Sequence, residues 1–322
     1  MEKSIKETIL QIRGLYYSYS SEKITLNNIN LDIHKGEKIA VLGSNGAGKS
    51  TFFLNINGVL TPEKGEIIYK GKSIRKKDLN ELRKNIGIVF QDADNQIIAS
   101  TVLAEVSFGP MNLKLPREEV IKRVDEALNY MNISEFKDRP PHYLSGGEKK
   151  RVSIADIIAM KSEIIIFDEP TAALDPLNAQ MLEEVLEKLR SEEKTLLIST
   201  HDVDFAYRWA DRIIVFSDGQ IIADGTPIEI FKNEEIVKGF LMALLHLKET
   251  DIETLEVADP FVEGEVKEEK EGILDVKMVL NGGKKINIEM QNTYQEDWAE
   301  RSLFYNCRMF TEGLKKGESY YE

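Results

Sequence analysis

The chain has 322 residues, 42% of them hydrophobic, enough for one or two globular cores. A formal charge of −13 argues against a broad non-specific nucleic-acid surface, and the single cysteine, Cys307, excludes an intrachain disulfide and fits a reducing compartment. Residues 1–7 lack the apolar stretch of a signal peptide and no run approaches the roughly 20 apolar residues that span a bilayer, so a soluble intracellular chain is expected.

Residues 8–33 alternate in strand fashion, with Tyr16, Tyr17 and Tyr19 before a polar turn at Ser20, Ser21 and Glu22. After the turn at 34–37, the apolar run Lys38–Leu42 reads as a strand and leads into Gly43-Ser44-Asn45-Gly46-Ala47-Gly48-Lys49-Ser50-Thr51. That stretch fits the phosphate-loop pattern G-x-x-x-x-G-K-[ST] with no mismatch. Residues 51–57, stopped by Gly58, read as the helix that follows. Strand, glycine turn and helix N-terminus aim backbone N–H groups and a positive helix end at one point, which suits a polyphosphate. Gly43, Gly46 and Gly48 let the backbone wrap closely. Lys49 is expected between the β- and γ-phosphates of a nucleotide, with the Ser50 hydroxyl at a Mg²⁺ position. An aromatic upstream of such a loop offers a face to adenine; Tyr19 is the candidate, with sheet packing the alternative for any tyrosine here.

Further on, residues 66–70 and 83–90 read as strands, the second ending on Gln91, a polar group placed to touch Mg²⁺ or an attacking water. Residues 92–142 change character, punctuated by Pro110, Pro116, Pro140 and Pro141, and the apolar spacing of 117–131 predicts a helix. An inserted helical subdomain is expected over about 92–160. Within it, Ser145-Gly146-Gly147 opens a second helix and forms a second anion cradle. The strand 163–167 then ends on Asp168 and Glu169, at the strand edge where α/β proteins bind ligands. Asp168 is the expected Mg²⁺ holder, through water, and Glu169 the expected general base. A turn at 170–176 starts an amphipathic helix over 177–190, and a buried strand over 194–200 leads to His201, a candidate γ-phosphate contact. Residues 210–225 read as a hairpin that closes the domain near Lys232.

The phosphate loop at 43–51, Gln91, the Leu144–Glu148 signature, Asp168-Glu169, Ala173-Leu174-Asp175 and His201 together resemble, in order and spacing, the nucleotide-binding subunits of ABC transporters. The likeness covers about 230 residues. Within that superfamily, residues 89–96 followed by 106–112 resemble the energy-coupling-factor and cobalt-import ATPases, with Ala93 where those proteins often show proline. The resemblance implies an α/β P-loop NTPase fold of ABC type: a mixed-sheet core, an antiparallel β subdomain and the helical insertion, over residues 1–232. It implies two cassettes packed head to tail, identical or paralogous, with ATP and Mg²⁺ between one phosphate loop and the other signature. Ser145, Gly146 and Gly147 would then meet the γ-phosphate in trans and Asp175 would link the two sites. Transmembrane subunits, driven through the segment near 91–112, would place the chain on the cytoplasmic membrane face. Cobalt, nickel and vitamins are the cargoes such a resemblance allows.

Residues 233–322 differ: they hold 11 Lys+Arg against 20 Asp+Glu, while residues 1–232 hold 31 against 35. A helix over 234–247, a charged linker over 263–272, and two strands, 272–280 and 285–291, around a turn at Asn281-Gly282-Gly283 are expected, then a helix over 296–314. This block resembles the N-terminal half of the recombination-promoting nuclease and transposase family, with its PD-(D/E)XK-type core. The resemblance puts the catalytic motif on Asp275, Glu289 and Gln291, and two carboxylates on paired strands suit a divalent metal that activates water. An acidic hairpin is the plain alternative. The chain ends at Glu322, where that family continues into another core strand, so a partial α+β segment is expected, and its acidity opposes DNA.

Overall fold

In this computed structural model, which describes residues 7–20, 23–172, 174–245, 249–258, 272–281 and 285–291, the first two strands bury apolar residues, in strict alternation over 29–33. Ile9, Leu10, Ile12 and Leu15 of β1 (Thr8–Ser20) and Leu26, Ile29, Leu31 and Ile33 of β2 (Lys23–His34) are buried, and the two strands pair antiparallel through several bulges. After β3 (Lys38–Leu42) and α1 (Lys49–Ile56), β4 (Lys64–Tyr69) and β5 (Lys72–Ser73) extend this pair to an antiparallel sheet of order β2-β1-β4-β5.

The chain then runs through α2 (Leu79–Asn85), β6 (Ile86–Val89), α3 (Val102–Asn112), α4 (Arg117–Tyr130), α5 (Gly146–Met160) and β7 (Ile164–Asp168). It continues through α6 (Pro176–Ser191), β8 (Thr195–Ser199), α7 (Val203–Trp209), β9 (Arg212–Ser217) and β10 (Gln220–Gly225). Six strands form a second sheet of order β10-β9-β3-β8-β7-β6, in which β9, β3, β8, β7 and β6 are mutually parallel. Strands buried on both faces read as unbroken apolar runs, as in Ile164–Phe167 and Leu196–Ile198. Because they are parallel, the ends that carry the 43–51 loop, Gln91, Asp168-Glu169 and His201 all open on one sheet edge.

One expected strand is shorter than its residues suggested. Arg83, Lys84 and Asn85 belong to α2, and the strand begins at Ile86. Leu79 and Leu82 lie three apart on one helix face, and Leu82 is fully buried, so helical spacing outweighs the short apolar run downstream. Helices α3, α4 and α5 pack on one another between β6 and β7.

The described chain clusters into two compact units, Met1–His201 with Ala210–Asp224, and Asp202–Trp209 with Gly225–Glu322. In the second, Phe205 stacks on Trp209 at 5.5 Å and Tyr207 lies 5.8 Å from Phe231 of α8 (Pro227–Phe231). α9 (Glu234–Leu245) precedes a three-stranded antiparallel sheet of β11 (Ile252–Ala258), β12 (Gly272–Leu280) and β13 (Lys285–Gln291). The hairpin strands fall on the expected residues, and their register makes Asp275 and Glu289 direct partners. Strand β11 was not expected; Glu253 and Glu256 interrupt its apolar pattern. The linker residues 263–271, the expected helix over 296–314 and Cys307 lie outside the described residues. Among the described residues no helix is long and apolar enough to cross a membrane.

Candidate nucleotide site

The 43–51 loop leaves β3 and enters α1 through glycines in conformations other residues avoid. Gly43 (φ 151°) sits where a Cβ would collide with the Phe216 carbonyl, and Gly48 (φ 105°) is the residue that starts the helix. Asn45, Gly46 and Ser50 are exposed, whereas Ala47 and Thr51 are buried. Lys49 is only 5% exposed, and its Nζ donates to the carbonyls of Gly43 (2.7 Å) and Ser44 (3.2 Å). Tyr19, 63% exposed, packs edge-on against Tyr17 and places its hydroxyl 3.3 Å from Thr51 Oγ1. Its ring therefore stands beside the loop with most of its surface open, rather than inside the sheet.

At the end of β7 the backbone turns sharply. Glu169 adopts φ 40°, a left-handed conformation that costs a non-glycine residue of order 1 kcal/mol or more, and such outliers cluster at functional sites. Ser199, the register partner of Asp168 on β8, holds both acids: its Oγ donates to Asp168 Oδ1 (2.6 Å) and accepts from the Glu169 N–H (2.8 Å). The Glu169 carboxylate, 12% exposed, lies 3.4 Å from Lys49 Nζ, accepts from Gln91 Nε2 (3.3 Å) and is 3.9 Å from His201 Nδ1. Three residues singled out in the sequence, Lys49, Gln91 and His201, thus meet at the carboxylate of a fourth, Glu169. The Ser50 hydroxyl, the Gln91 amide and the Asp168 carboxylate are hard oxygen donors of the kind Mg²⁺ takes, so the residues present fit that ion.

Ser145, Gly146, Gly147 and Asp175 belong to a different cluster. Ser145 caps α5 in a reciprocal box: its N–H and Oγ bond Glu148 Oε2 (2.7 and 2.8 Å), which holds the Glu148 carboxyl below its ordinary range. Asp175 caps α6, accepting from Asn178 N (3.0 Å) and Asn178 Nδ2 (2.6 Å), which lowers its carboxyl in the same way. The Asn178 side chain stands where a Cβ on Gly147 would be, so the two caps share one neighbour. Among the described residues, none of these four hydrogen-bonds to the 43–51 loop of the same chain.

Three contributors escaped the sequence reading. Ser199 had a signal, a polar residue at the end of an apolar strand, the same pattern that marked Gln91. Lys150 and Gln96 had none, because both lie among many charged and polar neighbours. Lys150, 5% exposed, donates to the carbonyls of Phe90 (2.7 Å) and Gln91 (2.9 Å). Burial pushes its ammonium down to about 8, against the raising effect of the Asp168 and Asp92 carboxylates.

Comparison with known proteins gives two regions. Residues 26–172 match the ABC transporter family, and residues 229–322 match the PD-(D/E)XK nuclease family transposases. The chain is 50% identical over 232 residues to the energy-coupling factor transporter ATP-binding protein EcfA of Methanocaldococcus jannaschii, covering 71% of this chain and 83% of that one. Among solved structures it is similar to CbiO1 from Clostridium perfringens, part of the ABC transporter complex CbiONQ, with 42% identity, a TM-score of 0.64, and 75% and 97% of the two chains covered. It is also similar to a dimeric bacterial ABC transporter cassette, with 32% identity, a TM-score of 0.62, and 68% and 99% covered.

Proposed function

The chain belongs to the ATP-binding subunits of ABC transporters, in the energy-coupling-factor group, and from that premise we propose that it hydrolyses ATP within a head-to-tail pair of cassettes to drive a membrane-embedded importer. The observation that carries the reading is the Glu169 carboxylate, met by Lys49, Gln91 and His201 and backed by a strained main chain. In this reading Glu169 takes a proton from a water whose oxygen attacks the γ-phosphorus, while the bond to the bridging oxygen breaks to give ADP and phosphate. Gln91 orients that water, His201 contacts the γ-phosphate, and Lys49 leaves its carbonyl partners for the β- and γ-phosphate oxygens. Mg²⁺, held by Ser50, Gln91 and Asp168, would supply charge neutralisation at the phosphates when bound. The loop N–H groups at the start of α1 cradle the phosphates, and the open face of Tyr19 takes the adenine.

The pairing is supported by the lack, among the described residues, of any hydrogen bond from Ser145, Gly146, Gly147 or Asp175 to the 43–51 loop, and by the similar cassette that is itself dimeric. Ser145, Gly146 and Gly147 would reach the γ-phosphate on the facing chain, with Asp175 linking the two sites. Ile98 (73% exposed), Leu103, Phe108 and Met111 leave an apolar surface along the segment after Gln91, which supports docking of a transmembrane subunit there and a position on the cytoplasmic membrane face. The group to which the chain belongs points to cobalt, nickel or a vitamin as cargo, chosen by the membrane subunits. The solution mass of full-length Glu169→Gln tests the pairing. ATP with Mg²⁺ is expected to double it; a mass unchanged by nucleotide, alone and with a related ATP-binding subunit added, would count against the composite site.

A second activity has one observation in its favour, the direct register of Asp275 with Glu289 inside the region that matches the nuclease transposases. The excess of 20 acidic over 11 basic side chains in residues 233–322 opposes a DNA backbone. We expect no metal-dependent cleavage of duplex DNA by the full chain. Robust cleavage that Asp275→Ala abolishes would assign the nuclease instead.

A further inference from the structure

The residues that follow β6 do not continue into the sheet, and their main-chain polar groups are taken by other partners. The Phe90 N–H donates to Gln96 Oε1 (3.2 Å), while the Phe90 and Gln91 carbonyls both accept from Lys150 Nζ (2.7 and 2.9 Å). Gln96 is itself anchored on α5, donating from Nε2 to the Ser153 carbonyl (2.9 Å) and to Asp156 Oδ2 (3.4 Å). Nearby, Lys149 pairs with Asp94 at 2.7 Å. Three backbone groups of Phe90 and Gln91 are therefore fastened, directly or through one amide, to the helix whose N-cap is Ser145.

We propose that Lys150 is a positioning residue that fixes Gln91 to the signature helix, so that a displacement of α5 moves the Gln91 amide relative to the Glu169 carboxylate. Buried and bonded to two carbonyls in succession, the ammonium leaves the loop little freedom to shift independently of the helix. Its position one and a half turns after Ser145 puts it on the rigid body that a nucleotide at the signature would move. The geometry also separates two jobs on α5: Ser145 and Gly146 face outward at the helix start, and Lys150 faces inward to the loop. Lys150 touches no phosphate in this account; it acts through Gln91. The inference rests on the role given to Gln91 above.

The test uses full-length protein and a double-mutant cycle. Lys150→Met keeps the aliphatic stem and removes the donors. It is expected to lower kcat about 10- to 100-fold, the cost of a misplaced group, with KM for ATP within about twofold of wild type. Lys150→Arg, which can serve both carbonyls, is expected to recover most of the loss, and Lys150→Gln, with one donor group, to fall between. In a Gln91→Ala background Lys150→Met should add nothing. Losses that multiply, or a Lys150→Met enzyme at wild-type rate beside a slow Gln91→Ala, would overturn the tether alone. Gln91→Ala at wild-type rate would instead remove the role of Gln91. Hydrogen exchange reads the same link without turnover. ATP with Mg²⁺ on Glu169→Gln is expected to protect 145–151 and 89–92 together, with Lys150→Met abolishing only the second. Protection of 89–92 that survives in Lys150→Met would refute the tether.

Discussion

Glu169→Gln is expected to bind ATP as wild type does and to hydrolyse it roughly 10²- to 10⁴-fold more slowly, the range a positioned general base supplies. Glutamine is close in shape and can occupy the same left-handed turn, so the Ser199–Glu169 N–H bond and the strand end are preserved. What is lost is the negative oxygen able to accept a proton. Neutralising it also removes the charge that Lys49 faces at 3.4 Å, so the ammonium has one competitor fewer when polyphosphate arrives, and affinity should hold or rise. Single-turnover hydrolysis with a binding titration on the same preparation separates the two effects. Turnover at the wild-type rate would remove Glu169 as base, and His201, 3.9 Å away, would be the next group to examine.

How much of this was legible in the residues depends on whether a role is written in a local pattern or in a meeting of distant ones. The phosphate loop is local: glycine spacing, a preceding apolar strand and a following helix fix it without reference to anything else. Asp168-Glu169 is nearly as local, because an apolar strand that ends on two acids in a parallel sheet has one edge to present them on. The hairpin of β12 and β13 was equally plain from its Asn-Gly-Gly turn, and the bounds agree residue for residue. Ser199 was within reach of the same logic but needed the register with β7, which no single strand reveals. Lys150 and Gln96 were not legible, since the main-chain carbonyls they bond lie about sixty residues away, and a carbonyl is a group every residue carries. The helix α2 was misread because three polar residues beside an apolar run carry no period; only the burial of Leu82 one turn earlier shows the helix.

Lys49→Ala is expected to weaken ATP binding by about 10- to 100-fold, the loss of hydrogen bonds from a charged donor to charged acceptors. The side chain is buried to within 5% of its surface and stands between two sets of acceptors, the Gly43 and Ser44 carbonyls on one side and Glu169 on the other. No other cation contacts the Glu169 carboxylate among the described residues unless His201 is protonated, so removal leaves that acid facing the polyphosphate with its like charge uncompensated. The loss should therefore exceed that of a simple hydrogen-bond deletion, and part of it should return in the double variant Lys49→Ala, Glu169→Gln. Lys49→Met, which keeps the stem, should lose nearly as much as Lys49→Ala; if it binds like wild type, packing rather than charge is what the lysine supplies. Titration calorimetry with ATP and Mg²⁺ reads all three variants. Equal affinity in Lys49→Ala and wild type would undo the assignment of residues 43–51 as the phosphate site, because a loop that needs no ammonium to hold four negative charges is holding something else.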